Sequence, residues 1–177
     1  MGEACTAVVM ALTSRHQLPL ADGLKAIDAR EGAASRPMVG QATVVVSHSP
    51  QCKLSELILT LDAYAAERPV ERNYFWVSLF CCGHHQKGPD THQAELEAAI
   101  AATKRTCVVL APWADSLALN ANGAWRGQHC LWDMFTSLRY GATYVLQLSP
   151  SEAPHFERAL LSEFDAGAPG AAHVTAA

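Results

Sequence analysis

Short apolar runs alternate with segments of helical periodicity along most of the chain. Four short runs predict the strands of a parallel sheet: residues 43–47, 74–80, 106–111 and 143–148. The first and third are solidly apolar, as expected of strands buried on both faces, and the second is rich in aromatic and branched residues. Helical spacing of apolar residues follows each run, over residues 54–65, 90–100, 126–139 and 151–164. The order β-α-β-α-β-α-β-α predicts an α/β fold, a flavodoxin-like three-layer sandwich with a central parallel sheet of four to five strands.

The chain divides into one domain and two flanking segments. With 177 residues it suits a single domain, which we assign to residues 43–165. Residues 1–42 do not fit the repeat, and we expect an N-terminal extension with a helix around Leu20–Ala29 that packs on the domain. Residues 4–12 faintly resemble a signal peptide, but no basic segment precedes them, so we interpret them as structure. Residues 166–177, rich in alanine and glycine, should form a flexible tail.

Charge and composition exclude several classes of partner. The net charge is −4 and the basic residues are scattered, so we expect no nucleic-acid partner. No segment reaches the ~18 apolar residues of a membrane span, and we expect no membrane association. The six cysteines lack the spacing of a secreted disulfide framework, which favours a reducing, cytoplasmic location.

The segment around Asp133 is the most informative part of the sequence. In the helix over 126–139, the predicted core face carries Leu131, Met134, Phe135 and Leu138. Asp133 lies about 200° from Leu131 around the helix, opposite that face. One interpretation is an exposed aspartate, paired with His129 one turn earlier. The other is functional, because this helix begins beyond the carboxyl end of a buried strand, where open α/β sheets bind ligands.

Residues 81–85, Cys-Cys-Gly-His-His, raise the question of a metal site. Structural zinc sites usually combine a Cys-x2-4-Cys pair with a second, separated pair of ligands. Adjacent cysteines and adjacent histidines rarely all point at one ion, so we expect no metal here.

A cysteine–histidine hydrolase is a weaker alternative. It would pair Cys81 or Cys130 with His48 or His129. The glycine-flanked nucleophile turn of α/β hydrolases is missing from the sequence. A phosphate loop of the Gly-x-x-x-x-Gly-Lys-Ser/Thr type is also missing.

Four short segments carry a resemblance to a known family. They are the first strand ending in Val46-Ser47-His48, the loop after the second strand, the helix from Asp90 into the Val108-Val109-Leu110 strand, and the helix from Trp125 through Cys130-Leu131-Trp132-Asp133. Tyr74-Phe75-Trp76 and Ala111-Pro112-Trp113 add to this signature. Over roughly residues 42–150 the chain thus resembles TIR domains, especially divergent TIR-like ones.

The resemblance implies a set of functional residues. Many TIR domains cleave NAD at the nicotinamide–ribose bond with one helix glutamate, whose position Asp133 takes here. The resemblance therefore implies Asp133 as the catalytic carboxylate, with NAD or a related nucleotide as substrate or ligand and no other cofactor. The implied nucleotide-binding residues are Ser47, His48, Ser49, Phe80, Cys81, His84, Trp113 and Trp125, with either tryptophan stacking on the ligand.

The family also implies assembly. TIR domains self-associate, here through the 81–89 loop and adjacent helices, and other TIR-like domains are possible partners. A catalytically inactive scaffold that mediates protein–protein assembly in signalling is the alternative to an NAD-cleaving enzyme. Whether the chain is an enzyme stays open at this point.

Overall fold

The computed structural model describes residues 3–30, 37–68, 72–85, 89–114 and 128–166. The strands are β1 (Val44–His48), β2 (Phe75–Val77), β3 (Arg105–Leu110) and β4 (Thr143–Leu148). The helices are α1 (Glu3–Thr13), α2 (Leu20–Arg30), α3 (Leu54–Glu67), α4 (Ser78–Cys81), α5 (Pro89–Thr103), α6 (Gln128–Arg139) and α7 (Ala153–Ala166).

The four strands form one parallel sheet in the order β2-β1-β3-β4. Val45 of β1 aligns with Trp76 of β2 and Thr106 of β3. Alternate residues of β1 and β3 face opposite sides, as strand geometry requires. Helices α5 and α6 cover one side, while α3 packs with α1, α2 and α4 on the other. The predicted flavodoxin-like α/β architecture is confirmed, with four strands among the described residues.

The second strand is shorter than predicted. We expected a strand over 74–80, but β2 ends at Val77 and the single turn of α4 follows, closed by a hydrogen bond from Cys82 N to Ser78 O of 3.0 Å. Leu79 is buried in the core, and Phe80 packs against it. An apolar run of this length fits a strand and a buried helical turn equally well, so periodicity alone did not separate them.

The N-terminal segment contains two helices. The expected helix around Leu20–Ala29 is present as α2, and α1 precedes it. Val9 of α1 is buried, and Leu20 of α2 packs against the same core. Within the described ranges, no helix combines the length and apolar character needed to cross a bilayer.

Helix α6 buries a different face from the one predicted, although Met134 of the predicted face packs against the core. Phe135 and Leu138, expected in the core, are exposed, whereas the buried residues are Cys130, Asp133, Thr136 and Ser137. The polar groups on this buried face are satisfied, because Ser137 Oγ donates to Asp133 O at 2.7 Å and lies 2.8 Å from Thr106 Oγ1. Both sets of residues have helical spacing, so the pattern identified the helix but not its inward side.

Candidate functional site

The candidate site lies at the carboxyl end of β1, where the chain order of the sheet reverses. From β1 the chain runs to β2 on one side and then to β3 on the other. Ligands of open α/β sheets bind in the crevice that such a reversal leaves beyond the strand ends. A cavity of about 780 Å³ opens at this place in the protein, bounded by the last residues of β1 and the first half of α6.

The cavity wall is rich in histidine and contains one carboxylate. Its described lining consists of Thr6, Val46, Ser47, His48, Pro50, Ser78, Leu79, Cys82, His84, His92, Gln93, Leu96, His129, Trp132 and Asp133. Four imidazoles, three hydroxyls and one amide thus surround Asp133. Neither lysine nor arginine occurs in this part of the wall. The wall therefore offers mainly hydrogen-bonding groups rather than fixed positive charge.

Asp133 is buried in the cavity wall, contrary to the exposed position that its distance from the predicted core stripe suggested. Its side chain is 8% exposed, and Oδ2 accepts a hydrogen bond of 2.6 Å from Ser47 Oγ. Burial raises the pKa of the carboxyl to about 6, against the opposing effects of the Ser47 hydrogen bond and the nearby His129. Near neutral pH this group is ionised, yet it takes up a proton readily.

Ser47 links Asp133 to the sheet. It is the fourth residue of β1, fully within the core face covered by α6, and its hydroxyl is held by the carboxylate. Cys130 lies one turn before Asp133, and burial raises the pKa of its thiol to about 11. A protonated, buried thiol is a poor nucleophile, which argues against Cys130 as the centre of a hydrolase.

His48 ends β1 and has a defined tautomer when neutral. Its Nδ1 lies 3.1 Å from the main-chain oxygen of Ser49, and a carbonyl only accepts, so Nδ1 carries the hydrogen. Burial lowers the pKa of the imidazole, although the Ser49 hydrogen bond opposes this. His48 is therefore neutral near pH 7, with a lone pair on Nε2.

His84 and His92 form a second pair on the wall, with ring centroids 5.4 Å apart. Nε2 of His84 lies 2.9 Å from Leu79 O, and Nε2 of His92 lies 3.1 Å from Gly83 O. By the same reasoning each Nε2 is a donor, and each Nδ1 is an acceptor in the neutral ring. These main-chain hydrogen bonds fix the orientation of both rings. In the neutral ring, each Nδ1 can then accept a hydrogen bond from a ligand.

Four described residues of the predicted nucleotide-binding set lie away from this cavity's lining: Ser49, Phe80, Cys81 and Trp113. Ser49 is buried and bonded locally, donating from Oγ to Gln51 Oε1 at 2.6 Å. Phe80 packs against the core beside β1 and β2. Cys81 lines a separate cavity of about 330 Å³ between β2 and α5. Of the predicted set, the structure brings together Ser47, His48 and His84 with Asp133.

The two tryptophans proposed for stacking have different outcomes. Trp113 packs edge-on against Phe156 of α7, with ring centroids 5.3 Å apart, and its main-chain N–H donates to Glu152 Oε2 at 3.0 Å. It is absent from the described cavity lining. Trp125 lies outside the described residues. Trp132, which the helical angle places about 100° from the predicted core face and so beside a cleft or an interface, lines the cavity.

Several cavity residues escaped the sequence analysis. Thr6 comes from α1, about forty residues before β1, and no local pattern connects the two. Ser78 reaches the cavity because β2 ends early and α4 begins there. His92 and Gln93 stand in the first turns of α5, after the loop that was predicted to form the pocket. A polar helix start beyond a strand end was the available signal for these two residues.

The Cys-Cys-Gly-His-His segment does not gather its side chains at one point. His85 Nε2 lies 2.8 Å from Thr13 Oγ1 on α1, whereas His84 is bonded to Leu79 O. Among the residues described, no three His, Cys, Asp or Glu side chains are grouped to hold a metal ion. The described residues include all six cysteines, and none of these forms a disulfide.

Comparison with models of protein families, with curated proteins and with solved structures found no match to this chain. The functional conclusion therefore rests on the geometry of the cavity and on the chemistry of its residues.

Proposed function

We propose that the cavity binds NAD or a related nucleotide and cleaves it at the nicotinamide–ribose bond, in the cytoplasm. The observation that carries the proposal is the buried carboxylate of Asp133, held by Ser47 at the carboxyl end of β1 in a cavity large enough for a nucleotide. A carboxylate there suits a sugar centre that gains positive charge as a neutral base departs. The TIR-like resemblance assigns the same residue to this role.

The hydrogen-bonding character of the wall supports a ribosyl ligand. Nε2 of His48 and the oxygens of Asp133 are acceptors, and so is Nδ1 of His84 and of His92 in the neutral ring. Ribose hydroxyls and the carboxamide of nicotinamide are donors that complement them. The positive charge of the nicotinamide ring also complements the carboxylate. Phosphate oxygens, which only accept, find fewer partners in the described lining.

In the proposed reaction the bond between C1′ of the ribose and the ring nitrogen of nicotinamide breaks. The bonding electrons neutralise the pyridinium, and nicotinamide leaves uncharged. The oxygen of one water molecule bonds to C1′, and its proton passes to Nε2 of His48, which is neutral and unprotonated near pH 7. Asp133 stabilises the developing charge on the sugar. The products are ADP-ribose, nicotinamide and one proton.

A catalytically inactive assembly module is the second candidate, favoured by the exposed apolar side chains on α6. Self-association through the 81–89 loop stays a prediction. Residues 86–88 lie outside the described residues, and His85 is hydrogen-bonded within the chain to Thr13.

The test is nicotinamide release from NAD by the purified chain, measured beside Asp133→Ala and Asp133→Glu. Asp62→Ala is the matched control, because Asp62 is an exposed carboxylate on α3, outside the cavity lining. We expect release by the native chain and by the control, and none by Asp133→Ala. The Asp133→Glu variant tests whether the distance between the carboxylate and the sugar limits the reaction. Its carboxylate extends about 1.5 Å further, and near-attack geometry is sensitive to such a shift.

Two outcomes would overturn the enzyme proposal. If neither the native chain nor Asp133→Glu releases nicotinamide, and both are folded, the enzyme proposal fails and the assembly module remains. Undiminished release by Asp133→Ala would assign the activity to another group or to a contaminant.

A further inference from the structure

One side of the molecule exposes a set of large apolar residues. Trp132, Phe135 and Leu138 of α6 are 46%, 55% and 63% exposed, and Leu146 of β4 is 50% exposed. Trp132 and Phe135 contact each other, with ring centroids 5.7 Å apart. Because Trp132 lines the proposed nucleotide cavity, we call the other three residues, Phe135, Leu138 and Leu146, the β4–α6 face.

The three residues of the β4–α6 face lie on the same side of the sheet. Tyr144 and Leu148, two positions before and after Leu146, pack with Cys130 and Met134 of α6. Side chains two apart in a strand share a face, so Leu146 is on the α6 side as well. The packing of α6, with its polar side inward, turns its aromatic side toward solvent beside this strand.

The edge of β4 lacks the features that usually protect an outer strand. Among the strands in the described part of the chain, β4 pairs only with β3. Its sequence, Thr-Tyr-Val-Leu-Gln-Leu, carries no charge and no proline. Natural edge strands are commonly protected by lysine, proline or a bulge, because unpaired N–H and C=O groups invite another strand. An uncharged edge beside an apolar surface suits a binding surface better than permanent exposure to water.

The size of the face fits a protein interface. A large aromatic side chain buries about 150–250 Å² when fully covered, so the half-exposed Phe135 offers on the order of 100 Å². With similar areas from Leu138 and Leu146, the face presents roughly 300 Å², more than a third of the ~800 Å² that one partner contributes to a standard interface. The backbone edge of β4 and its flanks would supply the remainder.

We propose that the β4–α6 face binds a second copy of this chain, with the two β4 edges paired antiparallel about a twofold axis. In this arrangement the sheet continues across the dimer, and the same apolar residues of each copy meet. A surface with an open strand edge and an apolar flank is self-complementary under a twofold rotation. Apart from buried Asp133, the described residues of α6 carry one fixed charge, Arg139 on the last turn. Pairing of two copies therefore brings few like charges close together.

The test is sedimentation velocity of the full chain without any ligand, so that its result is independent of the NAD proposal. We expect the native chain to sediment at twice the 19.0 kDa of one copy. Leu146→Lys and Phe135→Lys should each weaken dimerisation by about tenfold or more, since each puts a charge into the contact. Ile58→Lys is the matched control, a 51% exposed apolar residue on α3. It should leave the dimer unchanged.

A mixing experiment tests the twofold geometry. Leu146→Lys and Leu146→Glu should each be monomeric alone but should associate when mixed, because the axis brings the two 146 positions together. Leu146→Lys, Leu146→Glu and Phe135→Lys all replace exposed side chains, and far-ultraviolet circular dichroism checks that these variants fold. A monomeric native chain at high concentration overturns the proposal. A chain that stays dimeric with Leu146→Lys and with Phe135→Lys overturns the proposal too. So does a mixture of Leu146→Lys and Leu146→Glu that stays monomeric.

Discussion

The substitution Asp133→Asn should make the protein more stable at neutral pH. Asparagine keeps the size of the side chain and an oxygen that accepts the hydrogen bond from Ser47. What it removes is the cost of holding a negative charge in a site where the side chain is 8% exposed. A variant that is more stable but inactive is what we expect when a buried carboxylate serves function at a cost in stability.

The magnitude follows from the pKa of Asp133. Its value of about 6 exceeds the ordinary 3.8 by about two pKa units, at ~1.4 kcal/mol per unit. Because the folded state binds the proton more tightly, stability falls as pH rises from about 4 to about 6 and stays lower above that window. Ionised Asp133 thus costs about 3 kcal/mol at neutral pH. Removing that cost should raise Tm by roughly 6–12 °C.

The assay is urea unfolding of the native chain and the variant at several pH values between 4 and 8. The difference in unfolding free energy should grow from near zero at pH 4 to about 3 kcal/mol at pH 7. Asp62→Asn, at an exposed position, should change stability by less than about 0.5 kcal/mol throughout. A variant that is equally stable or less stable at pH 7, or a difference independent of pH, would refute the buried-carboxylate account.

Three further predictions follow from the same groups. Ser47→Ala removes the donor to Asp133 and should lower stability at pH 7 by about 1–3 kcal/mol, measured by urea unfolding; an unchanged midpoint would contradict the role of that hydrogen bond. Nicotinamide release, if it occurs, should increase as pH rises through about 6, because Asp133 acts in its ionised form, and a flat pH profile between 5 and 7 would argue for a different group. Cys107 and Cys130 should resist iodoacetamide in the folded chain, because burial raises their pKa values to about 12 and 11; rapid labelling of either, seen by mass spectrometry, would contradict their burial.

The parallel sheet was predictable because three of its four strands lie at nearly the predicted positions, and two of them, β1 and β3, are solidly apolar. Such runs have few alternatives when they are separated by segments of helical period. The run over 74–80 shows the limit of this reasoning. Its first half forms β2 and its second half forms α4, and both halves are apolar because both contact the core.

The candidate site was only partly predictable. Ser47 and His48 could be placed because the end of β1 is a strand end in an open sheet. The position of Asp133 could not be derived from periodicity, since α6 buries hydrogen-bonded polar residues and exposes aromatic ones. Thr6 joins the cavity through tertiary packing, which leaves no local trace in the sequence.

The most direct test of the central claim is the titration of the Asp133 carboxyl carbon by NMR, with and without saturating NAD. In the free protein we expect the pKa of this group at about 6. When NAD is bound, the positive nicotinamide ring should stabilise the carboxylate and lower that pKa by about one unit or more. A pKa that is the same in the presence of saturating NAD would contradict the claim that Asp133 lies in the binding site for this nucleotide.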